Sequence, residues 1–114
     1  MNEKVKSDDF EAPGEAEVEI TIRGKTATYI IREASGERFS ELFADVNSSD
    51  PAKKVKAQKK LPAQLIAECV WRSDGSSISF EEASRFRHVL QKRLQEEVLK
   101  LNGLTDSEDD TKNA

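Results

Sequence analysis

Residues 17–32 read EVEITIRGKTATYIIR, and this stretch decides the fold. Polar and apolar residues alternate as far as Ile22, which is the period of a half-buried β-strand. A two-residue turn at Gly24-Lys25, with Gly first as type II′ prefers, would connect this strand to a second one. That turn predicts the following pairs across the hairpin: Ile22 with Ala27, Ile20 with Tyr29 and Val18 with Ile31 on one face, and Thr21 with Thr28 and Glu17 with Arg32 on the other. A lone hairpin is only marginally stable in water, so its apolar face needs helices packed against it.

Apolar residues downstream of the hairpin recur at helical spacing. Residues 37–46 place Phe39 and Phe43 on one face of a short helix. Residues 52–72 predict a longer helix with a basic first half and an apolar second half. Pro62 lies between the halves, and proline disrupts a helix interior, so we expect a kink or a restart there.

The last helical stretch has marked boundaries. Ser79 and Glu82 have the spacing of a capping box, which begins a helix. The apolar face then continues to residue 101, with a break expected near Arg87-His88. Asn102-Gly103 followed by a leucine is typical of a left-handed C-terminal cap. The chain is therefore predicted to be α+β, with an N-terminal β-hairpin packed against three to four α-helices.

Two acidic segments flank this patterned centre. Residues 1–17 hold six acids and two lysines, and residues 105–114 hold four acids and one lysine. The net charge of −4 thus divides into −4, +3 and −3. Segments this polar cannot offset the entropy cost of ordering, so 1–17 and 105–114 are predicted to be disordered tails around a single domain at 18–104. Their charge opposes binding to nucleic acid and to anionic membranes.

The reactive residues are too few for an active site. His88 is the only histidine, and general-base chemistry would need a nucleophile or carboxylate in reach. Cys69 and His88 do not make a zinc site, and residues 106–110 lack the glycine and terminal glutamate of a calcium loop. We therefore expect no enzyme activity, no cofactor and no metal.

The single cysteine also bears on location. Cys69 lies in an apolar stretch, rules out a disulfide framework and fits a reducing compartment. No apolar run reaches the roughly 20 residues that span a bilayer, and the N-terminus lacks the apolar segment of a secretory signal. The sequence predicts a cytoplasmic protein.

Five lysines lie between Lys53 and Lys60. Such a cluster could contact nucleic acid phosphates. No aromatic residues interleave the lysines, however, and the acidic tails oppose that binding. A solvated face or a face for an acidic partner is the other interpretation.

Three stretches resemble one protein family. YIIREASG at 29–36 resembles the Arg-Glu-x-(Ser/Thr)-Gly segment of tail assembly chaperones from long-tailed, siphovirus-type bacteriophages. QLIAECVW at 64–71, followed by Asp74-Gly75 and FEEA at 80–83, resembles the central region of that family. EVLKLNGL at 97–104 is similar to its terminal helix ending in Asn-Gly-Leu. The resemblance covers roughly residues 18–104 and rests on the order and spacing of these motifs.

The resemblance implies a function in virion morphogenesis. Chaperones of this family bind the long tape measure protein in the host cytoplasm, keep it soluble and help to recruit major tail protein. They are absent from the finished virion and have no catalytic residues. A longer form often arises by programmed frameshifting, so that form is a further implied partner. A second copy of the chain, in a homo-oligomer, is another possible partner. The source of the gene, a phage or a prophage, is left open.

A chaperone of this kind needs an accessible apolar groove for a helical client. The residues predicted to bind a partner are Phe39, Phe43, Lys53, Lys56, Phe86 and Leu90. Alternatively, the aromatic residues pack on the hairpin and leave no groove. The alternative function is a small nucleic-acid-associated regulatory protein that uses the Lys53–Lys60 basic face.

Overall fold

The structure, a computed structural model, describes residues 13–103. That part of the chain contains three strands, β1 (Glu15–Ile22), β2 (Lys25–Arg32) and β3 (Val70–Arg72), and four helices, α1 (Gly36–Phe43), α2 (Pro51–Cys69), α3 (Phe80–Ser84) and α4 (His88–Leu101). The strands form one antiparallel sheet in the order β1-β2-β3. The predicted α+β class, with a hairpin against four helices, is confirmed.

Most of the two predicted tails lies outside the described residues. Residues 1–12 and 104–114, including the whole of the predicted C-terminal tail, are in this category. Strand β1 begins at Glu15, so residues 15–17 belong to the hairpin and not to the N-terminal tail.

The hairpin turns at Arg23-Gly24, so the predicted pairing is wrong by two residues. Both turn residues have positive φ, 52° and 78°, which identifies a type I′ turn. The observed pairs are Ile22 with Lys25, Ile20 with Ala27, Val18 with Tyr29, Thr21 with Thr26 and Glu15 with Arg32. Because side chains alternate with a period of two, this displacement leaves each residue on its predicted face.

The long helix ends earlier than its apolar pattern suggested. Residues 70–72, predicted to be helical, form β3, in which Val70 pairs with Ile31 and Trp71 with Ile30. Valine and tryptophan suit a pleated, half-buried surface, and Val70 is fully buried there.

Helix α2 continues through Pro62 without a restart, which corrects that part of the prediction. The missing N–H of Pro62 deprives the carbonyl group of Gln58 of its helical partner. Gln58 is exposed, so water can satisfy that carbonyl.

The boundaries of the shorter helices largely follow the sequence. Helix α1 ends at Phe43, three residues before its predicted end, and α3 and α4 are separated at Arg87 as predicted. The capping box is present: the Ser79 hydroxyl accepts from the Glu82 N–H, and the Glu82 carboxylate accepts from the Ser79 N–H, each at 3.1 Å. Gly103 has the predicted left-handed conformation, with φ 78°.

The core lies between the sheet and the two long helices. Helix α4 packs on β1 and β2 and on α2, while α1 packs on α2. The fully or almost fully buried side chains come from the sheet, from α2, α3 and α4, and from the loop before α3: Ile20, Ile31, Leu65, Ile66, Cys69, Val70, Ile78, Ala83, Leu94 and Val98. Near the turn, only the beginning of α4 covers the hairpin, and this leaves a groove there.

Candidate partner-binding site

The six residues predicted to bind a partner lie in four places. Phe39 and Phe43 are on α1, and Lys53 and Lys56 are in the first half of α2. Phe86 lies between α3 and α4, half-buried against the core. Leu90 is on the first turn of α4. The structure therefore brings Phe39 together with Phe43 and Lys53 together with Lys56, and it does not join the six residues in one continuous groove.

Leu90 lines an apolar groove of about 240 Å³ between the hairpin and α4, which we call the hairpin groove. Its floor and walls are side chains on the helix-facing side of the sheet and on α4: Ile20, Ile22, Ala27, Tyr29 and Leu90. Ala27 is paired with Ile20 and is exposed, so a small side chain stands where a larger one would have filled the gap. Lys25, Thr26 and Arg87 complete the lining and give the rim two cationic side chains.

Phe39 and Phe43 form an aromatic pair one helical turn apart. Their ring centroids are 4.9 Å apart and the ring planes are inclined at 43°, a favourable tilted arrangement. Both rings are half-buried and line a shallow depression of about 460 Å³ with Ser40, Ala44 and Asn47. This surface belongs to α1 and the turn after it and does not include the hairpin.

Lys53, Lys56 and Lys60 line a third, charged groove of about 410 Å³ between α1 and α2. Glu41 of α1 and Asp45, in the turn after α1, line the same groove. The carboxylates therefore partly balance the basic side of α2, and this side is not a purely cationic surface.

Arg38 also lines the charged groove and is held by two carboxylates. Its guanidinium donates to Glu68 and to Glu41, each at 2.9 Å. These contacts, that with Glu68 first, raise the pKa of Arg38. Arg38 thus connects α1 to the second half of α2.

The two candidate reactive residues, His88 and Cys69, differ in their exposure to solvent. His88 is exposed at the first residue of α4. Cys69 is a buried free cysteine whose pKa is raised to about 11, first by burial and second by the charge of Glu68. In residues 13–103 no three His, Cys, Asp or Glu side chains are grouped so that they could hold a metal ion.

The spacing of residues in the sequence did not predict the hairpin groove. Its strand residues were assigned to a face covered by helices, and nothing in their spacing showed that the cover is incomplete near the turn. The signal that could have found it is Ala27, the one small residue among the apolar positions of that face in β2.

Comparisons with protein-family models, with curated proteins and with solved structures found no match to this chain. Among the described residues, no helix has the length and the hydrophobicity needed to cross a bilayer.

Proposed function

We propose that this chain is a bacteriophage tail assembly chaperone that binds the tape measure protein stoichiometrically during tail morphogenesis and helps to recruit major tail protein. The resemblance of residues 18–104 to that family motivates the proposal. The observation that carries it is the hairpin groove, an apolar surface left accessible on an otherwise highly charged domain.

The size of the hairpin groove favours a protein client over a small molecule. Its volume of about 240 Å³ is below the roughly 300–1,000 Å³ of typical small-molecule sites. A groove of this size suits one or two anchoring side chains from a helix laid across it, which is how amphipathic helices are commonly bound. Lys25 and Arg87 on the rim would favour a client segment whose apolar anchors are flanked by acidic residues.

The aromatic pair on α1 offers the client a second anchoring surface. Phe39 and Phe43 present tilted rings that are only half-buried, and aromatic side chains dominate binding energy at many interfaces. A long helical client could contact such separated surfaces through successive turns.

The test is a holdase assay with purified tape measure polypeptide. Light scattering should show that an equimolar amount of this protein suppresses aggregation of the polypeptide. Ala27→Gln would fill the hairpin groove without removing a core side chain, and it should abolish most of the suppression. Thr28→Gln is the matched control, because Thr28 follows Ala27 on the same strand and faces the opposite side of the sheet.

The outcomes separate the candidate functions. Unchanged aggregation at equimolar or higher ratios of the wild-type protein would end the chaperone proposal. The alternative, a nucleic-acid-associated regulator, would be supported if DNA bound with a steep salt dependence that Lys56→Gln reduced.

A further inference from the structure

We propose that the free edge of β1 pairs with β1 of a second copy of this chain, joining two three-stranded sheets into one six-stranded antiparallel sheet. In the described part of the chain, β1 lies at the edge of the sheet and pairs only with β2. An eight-residue edge strand presents unpaired backbone groups that can pair with another strand.

The hairpin determines which backbone groups of β1 are free. Ile22 and Lys25 flank a two-residue turn, and the N–H of Glu33 donates to the carbonyl oxygen of Gly14 at 2.9 Å at the other end of the ladder. Hydrogen-bonded pairs alternate with non-bonded pairs in an antiparallel ladder, so the even-numbered residues of β1 bond to β2. The N–H and C=O groups of Glu15, Glu17, Glu19 and Thr21 therefore point away from β2.

The charges on β1 disfavour two of the registers available for self-pairing. If two antiparallel copies meet at Glu19, the two Glu19 side chains are directly opposite each other, and if they meet at Val18, Glu17 is opposite Glu19. Like charges directly opposite are destabilising. A register centred on Ile20 instead places Glu19 opposite Thr21 and brings Glu17 to Arg23 at the turn of the second copy.

The same register aligns the apolar face. Ile20 meets Ile20 of the second copy, and Val18 meets Ile22, all on the side of the sheet that carries α4. Val18 and Ile22 are only half-buried in the single chain, so pairing would remove further apolar surface from water. A two-fold arrangement of this type uses the same surface on both copies, as most homodimers do.

The surface suits a second copy better than an unrelated strand, because its own sequence supplies both complementary charges. Glu17 and Arg23 come from the same segment and meet only when the segment is turned against itself. The two hairpin grooves would then lie on one face of the joined sheet, although the pairing does not depend on any client.

Sedimentation velocity of the full chain over about two decades of concentration tests the pairing. The wild-type protein should change from monomer to dimer as concentration rises. Glu19→Pro removes an N–H that points to the free edge, a place where strands tolerate proline, and should raise the dimer dissociation constant roughly tenfold or more. Glu19→Ala, which keeps the N–H, is the control and should still dimerise.

A charge exchange keeps the test decisive if the proline variant fails to fold. Glu17→Arg should weaken the dimer, and adding Arg23→Glu should restore it. Circular dichroism would confirm that each variant is folded. A wild-type protein that stays monomeric throughout, or a dimer that neither Glu19→Pro nor Glu17→Arg weakens, would overturn the proposal.

Discussion

The side-chain oxygen of Asn102 accepts a hydrogen bond from the backbone N–H of Ala34 at 3.0 Å, across 68 positions of sequence. The amide nitrogen of the same side chain donates to the carbonyl oxygen of Val98 at 2.8 Å. One asparagine thus satisfies the end of α4 and fixes the segment between β2 and α1 against it. Both contacts are partly buried, so neither group could easily turn to water instead.

Replacing Asn102 with alanine should lower the free energy of unfolding by about 1–3 kcal/mol, because it leaves the partly buried N–H of Ala34 unpaired. The carbonyl oxygen of Val98 keeps a partner, since it also accepts from the backbone N–H of residue 102 at 3.1 Å. Urea denaturation monitored by circular dichroism measures this loss. Asn47→Ala is the matched control: its side chain is exposed and makes only a 3.4 Å contact with the carbonyl oxygen of Phe43. The control should change stability by less than about 0.5 kcal/mol, and equal losses in both variants would contradict the bridging role of Asn102.

Arg23→Asn should stabilise the hairpin by up to about 1 kcal/mol, because the left-handed conformation is costly for most residues and asparagine tolerates it. Arg23 has φ 52° and precedes Gly24, and Asn-Gly is the preferred pair in type I′ turns. Thermal and urea unfolding measure the gain. Lys25→Asn, in the strand after the turn, is the control and should not stabilise. A loss of stability in Arg23→Asn would show that this turn gains more from the arginine side chain than from backbone preference.

The hairpin shows how far alternation alone can predict structure. The period of two assigned every strand side chain to its correct face. It could not decide between turns at Gly24-Lys25 and at Arg23-Gly24, because the two registers differ by two residues and keep the same faces. The observed turn places Arg23 at positive φ, a conformation that arginine intrinsically disfavours.

The end of α2 shows a second limit. Residues 61–71 carry apolar residues that fit a buried helix and a buried strand equally well, and short apolar runs do not distinguish the two. The edge of β2 favours the strand over the helix at this point, because Val70 and Trp71 pair with Ile31 and Ile30 there. Pairing between residues 39 and 41 positions apart is a tertiary effect, and the spacing of residues along the chain does not show it.

The candidate site was the least predictable part. Helical spacing placed Phe39 and Phe43 on one face of a helix, and the structure brings their rings together. Leu90 lines the hairpin groove, and its binding of a partner stays a prediction. The hairpin groove depends on where α4 begins relative to the turn, which is a matter of packing between elements. The small side chain of Ala27 creates a groove only because Leu90 of α4 lines the other side of the same space.

Glu82→Gln should make the free energy of unfolding less dependent on pH under acidic conditions. The Glu82 carboxylate accepts from the Ser79 N–H at 3.1 Å and from Arg72 at 2.8 Å, and these contacts, Ser79 first, lower its pKa below the ordinary value of 4.5. A carboxyl group with a lowered pKa contributes stability that is present above the unfolded-state pKa and is lost as the pH falls through the folded-state pKa.

Urea unfolding at pH values from about 6 to about 3 therefore should show a steeper loss in the wild-type protein than in Glu82→Gln. The glutamine retains an oxygen for the Ser79 N–H but has no charge to titrate. Glu81→Gln, which removes a neighbouring exposed carboxyl outside the capping box, is the charge-matched control. Equal flattening in both variants would show that the effect comes from general charge and not from the capping box.

Cys69 should make stability fall at alkaline pH. Burial, followed by the charge of Glu68, raises the pKa of this thiol from 9.0 to about 11. The folded chain then keeps a proton that the unfolded chain has lost, so the stabilisation is complete below pH 9.0 and is lost as the pH rises through about 11. The total loss should reach up to about 3 kcal/mol, since each pKa unit corresponds to about 1.4 kcal/mol. Cys69→Ala removes this titration and changes no other titratable group, so the difference in free energy of unfolding between wild type and variant should shrink from pH 8 to pH 11. A difference that stays constant over this range would mean that the folded thiolate is as easily formed as the unfolded one, and hence that the site is open to water.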